Sequence, residues 1–141
     1  MVTDLDGCMD FFKTYFDLGG KTDILGFSYY PYWYGGVHDP ELLSANIDKM
    51  SKEFDRGVMI TEVGGEQDDE ESSYQIVKDT VIATRNIPEN RGRGVYYWEP
   101  EACKEILPDG YILCATYLTG NHELRFNKAL DSYKEIGVLT H

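Results

Sequence analysis

Three short apolar runs, each closing on polar or aromatic side chains and then on a turn, limit the folds open to this chain more than any other feature. Ile24-Leu25-Gly26-Phe27 leads into Ser28-Tyr29-Tyr30-Pro31-Tyr32-Trp33-Tyr34 and then Gly35-Gly36. Gly57-Val58-Met59-Ile60-Thr61 delivers Glu62 and turns on Gly64-Gly65. Gly94-Val95-Tyr96-Tyr97 delivers Trp98, Glu99 and the breaker Pro100. Each run has strand length, and apolar residues recur at helical spacing between them. Strands that alternate with helices form a parallel sheet joined by crossover helices. In such sheets, sites collect where the strands end. The chain therefore reads as α/β, and the three strand ends are where its chemistry is expected.

The elements follow from spacing and caps. Asp6 to Asp17 reads as a helix with Met9, Phe12 and Phe16 inward and Tyr15 less cleanly so, stopped by Gly19-Gly20. Asp23 to Tyr30 is the first strand. Asp39-Pro40-Glu41 starts a helix: Asp caps, Pro suits the first turn, and Glu suits the positive end of the dipole. That helix runs to about Phe54 and buries Leu42 or Leu43, then Ile47, Met50 and Phe54. Val58 to Glu62 is the second strand. Ser72 or Ser73 caps the next helix, with Ile76, Val77, Val81 and Ile82 inward, ending near Arg85. Gly94 to Trp98 is the third strand. From Pro100 to Gly120 the pattern is irregular, and Tyr111 to Tyr117 reads equally as strand or packed loop. A last helix is expected from about Asn121, carrying Leu124, Phe126, Ala129, Leu130, Tyr133 and Ile136, with Gly137 as its stop. With no internal repeat and no flexible linker, residues 1–141 read as a single domain.

Composition narrows the partners. Thirteen basic against twenty-five acidic side chains give a formal charge of −12. Nucleic acid and anionic membranes bind through basic patches, so neither is an expected partner. A neutral polysaccharide is indifferent to that field. Cys8, Cys103 and Cys114 are an odd count without metal-ligand spacing, and they read as free thiols. The acidic run Glu66, Asp68, Asp69, Glu70 and Glu71 invites a calcium reading. It lacks a recognised loop spacing and precedes a helix start, so it reads as a solvated capping face, and no metal or cofactor is expected. No signal peptide or membrane span is visible.

The aromatic segment points to sugar. Its rings offer flat apolar faces for the C–H face of a pyranose, while Tyr O–H and Trp N–H groups remain free for its hydroxyls. In their order and wording, the three strand-and-turn segments resemble the C-terminal half of glycoside hydrolase family 53, the endo-β-1,4-galactanases, from about Thr22 onward. The resemblance implies a partial (β/α)8 barrel, in which this chain supplies strands six, seven and eight with their helices. It implies a retaining hydrolase of β-1,4-galactan, found outside the cell or in the periplasm. A whole barrel takes about 250 residues, so the N-terminal half is expected to be absent and the chain to pair with it or with itself. The export signal usual for the family is absent too, which fits a chain missing its front half.

Retaining glycosidases need two carboxyl groups roughly 5–5.5 Å apart, one to attack the anomeric carbon and one to protonate the leaving oxygen. Glu62 matches the family's nucleophile at the end of strand seven. It should be surrounded by hydrogen-bond donors, for which Tyr29, Tyr30 and Trp98 are candidates. Trp98 matches the tryptophan that floors the subsite of the cleaved sugar. Ser28 and Tyr29 are expected near the catalytic end, Trp33 as a stacking platform beside Pro31 and Gly35-Gly36, and His38 and Glu99 as further substrate contacts. The family's acid/base, a glutamate ending strand four, has no counterpart before Thr22. The chain is thus expected to be catalytic only with the missing strands, or else to be a glycan-binding remnant or an inert fragment that self-associates.

Overall fold

The structure is a computed structural model and describes residues 1–107 and 110–138. Helix α1 spans Leu5–Asp17, strand β1 Ile24–Tyr29, α2 Pro40–Phe54, β2 Gly57–Val63, α3 Glu70–Arg85 and β3 Gly92–Tyr97. Strands β4 (Thr116–Leu118) and β5 (Leu124–Phe126) follow, then α4 (Asp131–Val138). β1, β2 and β3 form one parallel sheet with β2 in the middle. The expected alternation of strand and helix is present, and the sheet is that of an α/β fold.

The helices start where short acidic side chains meet free backbone N–H groups. Asp4 accepts from Gly7 N (3.0 Å), Asp39 from Leu42 N (2.9 Å) and Asp69 from Ser72 N (3.1 Å). Such a cap is worth about 1 kcal/mol. The third differs from the sequence expectation. α3 begins two residues before Ser72, and Ser73 is buried with its hydroxyl donating to Glu66 O (2.8 Å).

Alternation along the strands divides the sheet into two faces. Leu25, Phe27 and Tyr29 of β1, Val58, Ile60 and Val63 of β2, and Val95 and Tyr97 of β3 join one core with the helices. Leu43, Ile47 and Met50 come from α2 and Ile76 and Val77 from α3, and Tyr133 of α4 packs against them. Helix α1 packs Phe12 edge-on against Phe27 at 5.5 Å and against Phe54 at 6.0 Å. Each such side chain contributes about 1.5–3 kcal/mol by leaving water. Leu43 is the inward member of the Leu42/Leu43 pair, and Ile82 faces out rather than in. The opposite face carries Ile24, Ser28, Thr61, Glu62 and Tyr96, with no helix over it among the described residues; Tyr96 is 61% exposed.

Two expectations at the C-terminal end are corrected. β3 begins earlier, at Gly92, and ends at Tyr97, so Trp98 lies just past the strand. The last helix does not start near Asn121. Thr116–Leu118 and Leu124–Phe126 pair antiparallel instead, with Leu124 and Phe126 exposed. The turn between them is satisfied locally, through Thr119 N to Glu123 O (2.8 Å) and His122 N to Thr119 O (2.9 Å). Asn127 then caps a short 3-10 turn through Ala129 N (3.0 Å), and α4 starts at Asp131 and continues through Gly137. Of the two readings of Tyr111 to Tyr117, most is packed loop: Leu113, Cys114 and Ala115 are fully buried, and only the end is strand.

Candidate active site at the carboxyl ends of the strands

Glu62 stands near the end of the middle strand, on the face opposite the helical core. A register shift between Phe27 and Ser28 places Ser28 directly across from Glu62. Without the shift the pleat would send one of the pair to the core side. Ser28 Oγ donates to Glu62 Oε2 at 3.0 Å, and Tyr30 OH donates to the same oxygen at 3.3 Å. Among the described residues nothing donates to Oε1. Both donors fall on one oxygen and leave the second oxygen open.

Tyr30 is a durable donor. It is buried, and desolvation, the adjacent Tyr111 hydroxyl and the Glu62 carboxylate push its pKa far above the usual phenol range. Its ring lies against Gly64, where an added Cβ would come within 3.1 Å of it and within 3.2 Å of Trp98 O. Glycine at that position lets the ends of β1, β2 and β3 close on one another. Tyr97 OH adds contacts to Gly65 N (3.3 Å) and Gly65 O (3.2 Å).

Trp98 donates its backbone N–H to Val63 O (3.0 Å), and its side chain is 48% exposed. The Trp98–Glu99 peptide bond is cis. Glu99 is exposed and shares no hydrogen bond with Glu62 among the described residues. After β1, Pro31–Tyr34 form a 3-10 turn with Pro31 buried. Tyr32, Trp33 and Tyr34 are all exposed, Trp33 most at 55%, and its ring meets Tyr32 edge-on at 4.8 Å. The segment ends on Gly35 and Gly36, whose φ values of 78° and 76° suit glycine.

Tyr29 and His38 need correction as contacts for a ligand. The Tyr29 side chain is 1% exposed and points into the helical layer, because it follows Ser28 on the pleat. Its hydroxyl bonds His38 Nδ1 (2.9 Å), whose Nε2 bonds Asp79 Oδ2 (2.9 Å) on α3. The imidazole thus bridges the two side chains through both of its nitrogens. Burial pushes the Tyr29 phenol up to about 12. The pair ties the segment after β1 to α3. Of the donors expected around Glu62, Tyr30 is in place and Ser28 fills the second position, while Tyr29 and Trp98 make no bond to it.

Tyr111 and Gln67 were not foreseen. Tyr111 reaches back from the loop before β4, and its hydroxyl meets Trp98 O at 3.4 Å. That loop is held by Gln67 N to Ile112 O (2.8 Å). The buried Gln67 amide also donates to Glu105 (3.0 and 3.1 Å) and accepts from Lys104 N (2.9 Å). The Cys103 thiol and the Gln67 amide together hold the Glu105 carboxyl below the usual carboxylate range. A tyrosine directly before a buried apolar stretch, and a lone glutamine inside an acidic run, were the available signals. The acidic run itself is spent on caps and ion pairs: Asp68 pairs with Lys104, Asp69 caps α3, Glu70 accepts from Lys128 N (2.9 Å) and Glu71 pairs with Lys128 Nζ.

A hollow of about 480 Å³ between α2 and α3, lined by Glu41, Asp48, Asp79 and Ile82 among others, includes neither Glu62 nor Trp98.

The sequence matches the family described as glycosyl hydrolase family 53 over residues 5–134. It is also similar to a protein of Niallia circulans described as an uncharacterized protein in the bgaB 5′ region, with 26% identity over 113 residues. That alignment takes in 64% of this chain and 30% of the relative, so the chain spans about a third of the curated relative's length. With a match covering most of its length and a carboxylate held at the end of a parallel strand, the chain belongs to glycosyl hydrolase family 53.

Proposed function

We propose that this chain is part of a retaining endo-β-1,4-galactanase, in which β1, β2 and β3 are strands six, seven and eight of a (β/α)8 barrel. The observation that carries the reading is the carboxylate of Glu62, with Oε2 held by Ser28 and Tyr30 and Oε1 free on the uncovered face. In this reading Oε1 attacks the anomeric carbon of a galactosyl unit and forms a covalent glycosyl–enzyme, which water then hydrolyses. The acid/base is a glutamate outside this chain. It protonates the leaving glycosidic oxygen first and then takes the proton of the attacking water. Ser28 and Tyr30 keep the nucleophile aimed. Trp98 floors the subsite of the cleaved sugar, Glu99 meets its hydroxyls, and Trp33 stacks a neighbouring unit. Tyr29 and His38 serve from behind by fixing the segment that carries Trp33. The substrate is pectic β-1,4-galactan or arabinogalactan, and the protein works outside the cell. No helix among the described residues is long and apolar enough to cross a membrane.

The test is release of reducing ends from β-1,4-galactan by the protein as its organism makes it, with Glu62→Gln beside it. The expected result is turnover that falls by roughly 10⁴-fold or more in the variant at unchanged folding. Full activity in the variant would remove the nucleophile assignment.

A second reading has one observation in its favour. The uncovered face exposes Ile24 and Tyr96, and apolar surface of that kind associates. A chain of these residues alone would then bind glycan without cutting it, or pair with itself. Sedimentation at several concentrations, with and without galactan fragments, separates those outcomes.

A further inference from the structure

Glu62 and Trp98 leave neighbouring strands and enter different loops. The two loops have to be held together if both side chains are to meet one sugar ring. Close to the strands the hold is direct: Trp98 N donates to Val63 O (3.0 Å), and Tyr97 OH bonds Gly65 N and O. Further out it rests on Gln67. Its side-chain nitrogen donates to both oxygens of Glu105 (3.0 and 3.1 Å), its side-chain oxygen accepts from Lys104 N (2.9 Å), and its backbone N–H donates to Ile112 O (2.8 Å). All three partners lie in the loop that Trp98 opens. From Glu66 to Glu71 every residue is exposed except Gln67, which is 6% exposed. An amide suits the position because it donates to a carboxylate with one end and accepts a backbone N–H with the other. Cys103 Sγ also donates to Glu105 Oε2 (2.5 Å). Thiol and amide hold that carboxyl below the usual carboxylate range, so Gln67 meets an ionised acceptor, the stronger kind.

We infer that Gln67 is a positioning residue: it latches the loop that opens at Trp98 to the segment that leaves Glu62, and so sets the place of Trp98 relative to the carboxylate. The inference rests on the reading of Glu62 as nucleophile and of Trp98 as the floor of its subsite. The latch closes a ring of chain. The ring runs from Glu62 out to Gln67, across to Lys104 and Glu105, back through the turn in which Ala102 N donates to Glu99 O (3.1 Å), and from Trp98 N across to Val63 O. Closure leaves the indole fewer arrangements than a loop tied at one end alone. Thr116 Oγ1 donates to Ala102 O (2.6 Å) from further along the same loop, which stiffens it without tying it to Glu62. The exposed pair of Asp68 with Lys104 adds little. A misplacement of about 1 Å can cost about a hundredfold in rate even when its source is far from the chemistry.

The test uses the protein as its organism makes it, labelled with 5-fluorotryptophan. Trp98 and Trp33 then each give a fluorine NMR line, assigned by Trp98→Phe and Trp33→Phe. The variants are Gln67→Glu, Glu105→Gln, the two together, and Glu105→Ala, with Glu62→Ala as reference. Gln67→Glu keeps the acceptor for Lys104 N and sets two carboxylates face to face. The double swap restores one amide and one carboxylate with their places exchanged. In folded Gln67→Glu the Trp98 line should shift or split while the Trp33 line stays, and kcat/KM on β-1,4-galactan should fall about tenfold. The swap should return both to within about twofold of the parent. Glu105→Ala, a mild change at an exposed residue, should move the Trp98 line less, and it decides the matter if Gln67→Glu does not fold. A purely structural role would lower the thermal midpoint and leave the Trp98 line of the folded protein in place. An unmoved line, a swap that fails to restore it, or a moved line at parental kcat/KM would overturn the inference while an inactive Glu62→Ala left the nucleophile standing. An active Glu62→Ala, or an inactive parent protein, would remove both.

Discussion

Phe27 and Ser28 are neighbours on β1 and belong to different parts of the molecule. Phe27 is 4% exposed, wedged between α1 and the core. Ser28 looks the other way and donates to Glu62. The same division runs across the sheet. On one face Val58, Ile60 and Val63 are fully buried under helices; on the other stand Thr61, Glu62 and Tyr96. One face holds the fold together by burial, which is roughly additive in area and tolerant of detail. The other depends on single hydrogen bonds whose direction matters. The pleat keeps the two jobs apart at a spacing of one residue, and the register shift at Phe27/Ser28 makes the change of job coincide with the end of the strand.

The sharpest way to break this division is to alter the two neighbours. Phe27→Ala should cost about 3–5 kcal/mol of stability, the usual range for a buried phenylalanine, seen as a lower urea midpoint. Activity per folded molecule should stay near that of the parent. Ser28→Ala should do the reverse. It should move the urea midpoint little, within about 1 kcal/mol, and lower kcat/KM roughly tenfold by taking one of two donors from Glu62. Equal stability losses in the two variants would mean that the uncovered face is packed as tightly as the covered one.

Much of this was readable in the sequence. Period and length were enough for β1, β2, α1 and α2, because apolar side chains on those elements face a single core. Asp39-Pro40-Glu41 announced its helix because a cap is a local interaction, and Asp39 does accept from Leu42 N. The misses have physical causes. Phe126, Leu130 and Tyr133 recur at helical spacing, while Leu124 and Phe126 alternate as on a strand, and the turn at Thr119–Glu123 decided for the hairpin. Tyr29 and Tyr30 could not be told apart, since the pleat and the end of the strand decide which one meets Glu62. Tyr111 comes from more than forty residues beyond Glu62. Its hydroxyl meets Trp98 O across an irregular loop, and no local pattern announces that contact. Residues 108, 109 and 139–141 lie outside the described structure.

A smaller effect tests the covered side at its rim. Asp39→Ala removes the side-chain acceptor from the start of α2 and should cost about 1 kcal/mol. His38 precedes this cap and is held by Tyr29 and Asp79. If the division holds, activity should not change beyond the loss of folded protein. A loss of kcat larger than the loss of stability would show that the segment from Trp33 to Asp39 passes strain to the site.

The smallest effect appears only at alkaline pH. Burial raises the Tyr29 phenol from 10 to about 12. The folded state therefore binds that proton more tightly than the unfolded chain does. Its contribution is complete below about pH 10 and is lost as pH rises toward about 12. Tyr133 behaves alike, and burial moves Cys114 from 9 to about 11, so the covered side as a whole should weaken in that window. Tyr29→Phe separates one residue from the rest. At pH 8 it should be less stable by about 1 kcal/mol, through loss of the bond to His38. At pH 11 the parent has begun to forfeit the contribution that the variant never had, so the gap between their urea midpoints should narrow. A gap that stays constant from pH 8 to pH 11 would mean that the Tyr29 hydroxyl reaches water, and that the boundary between the two faces lies one residue further into the core.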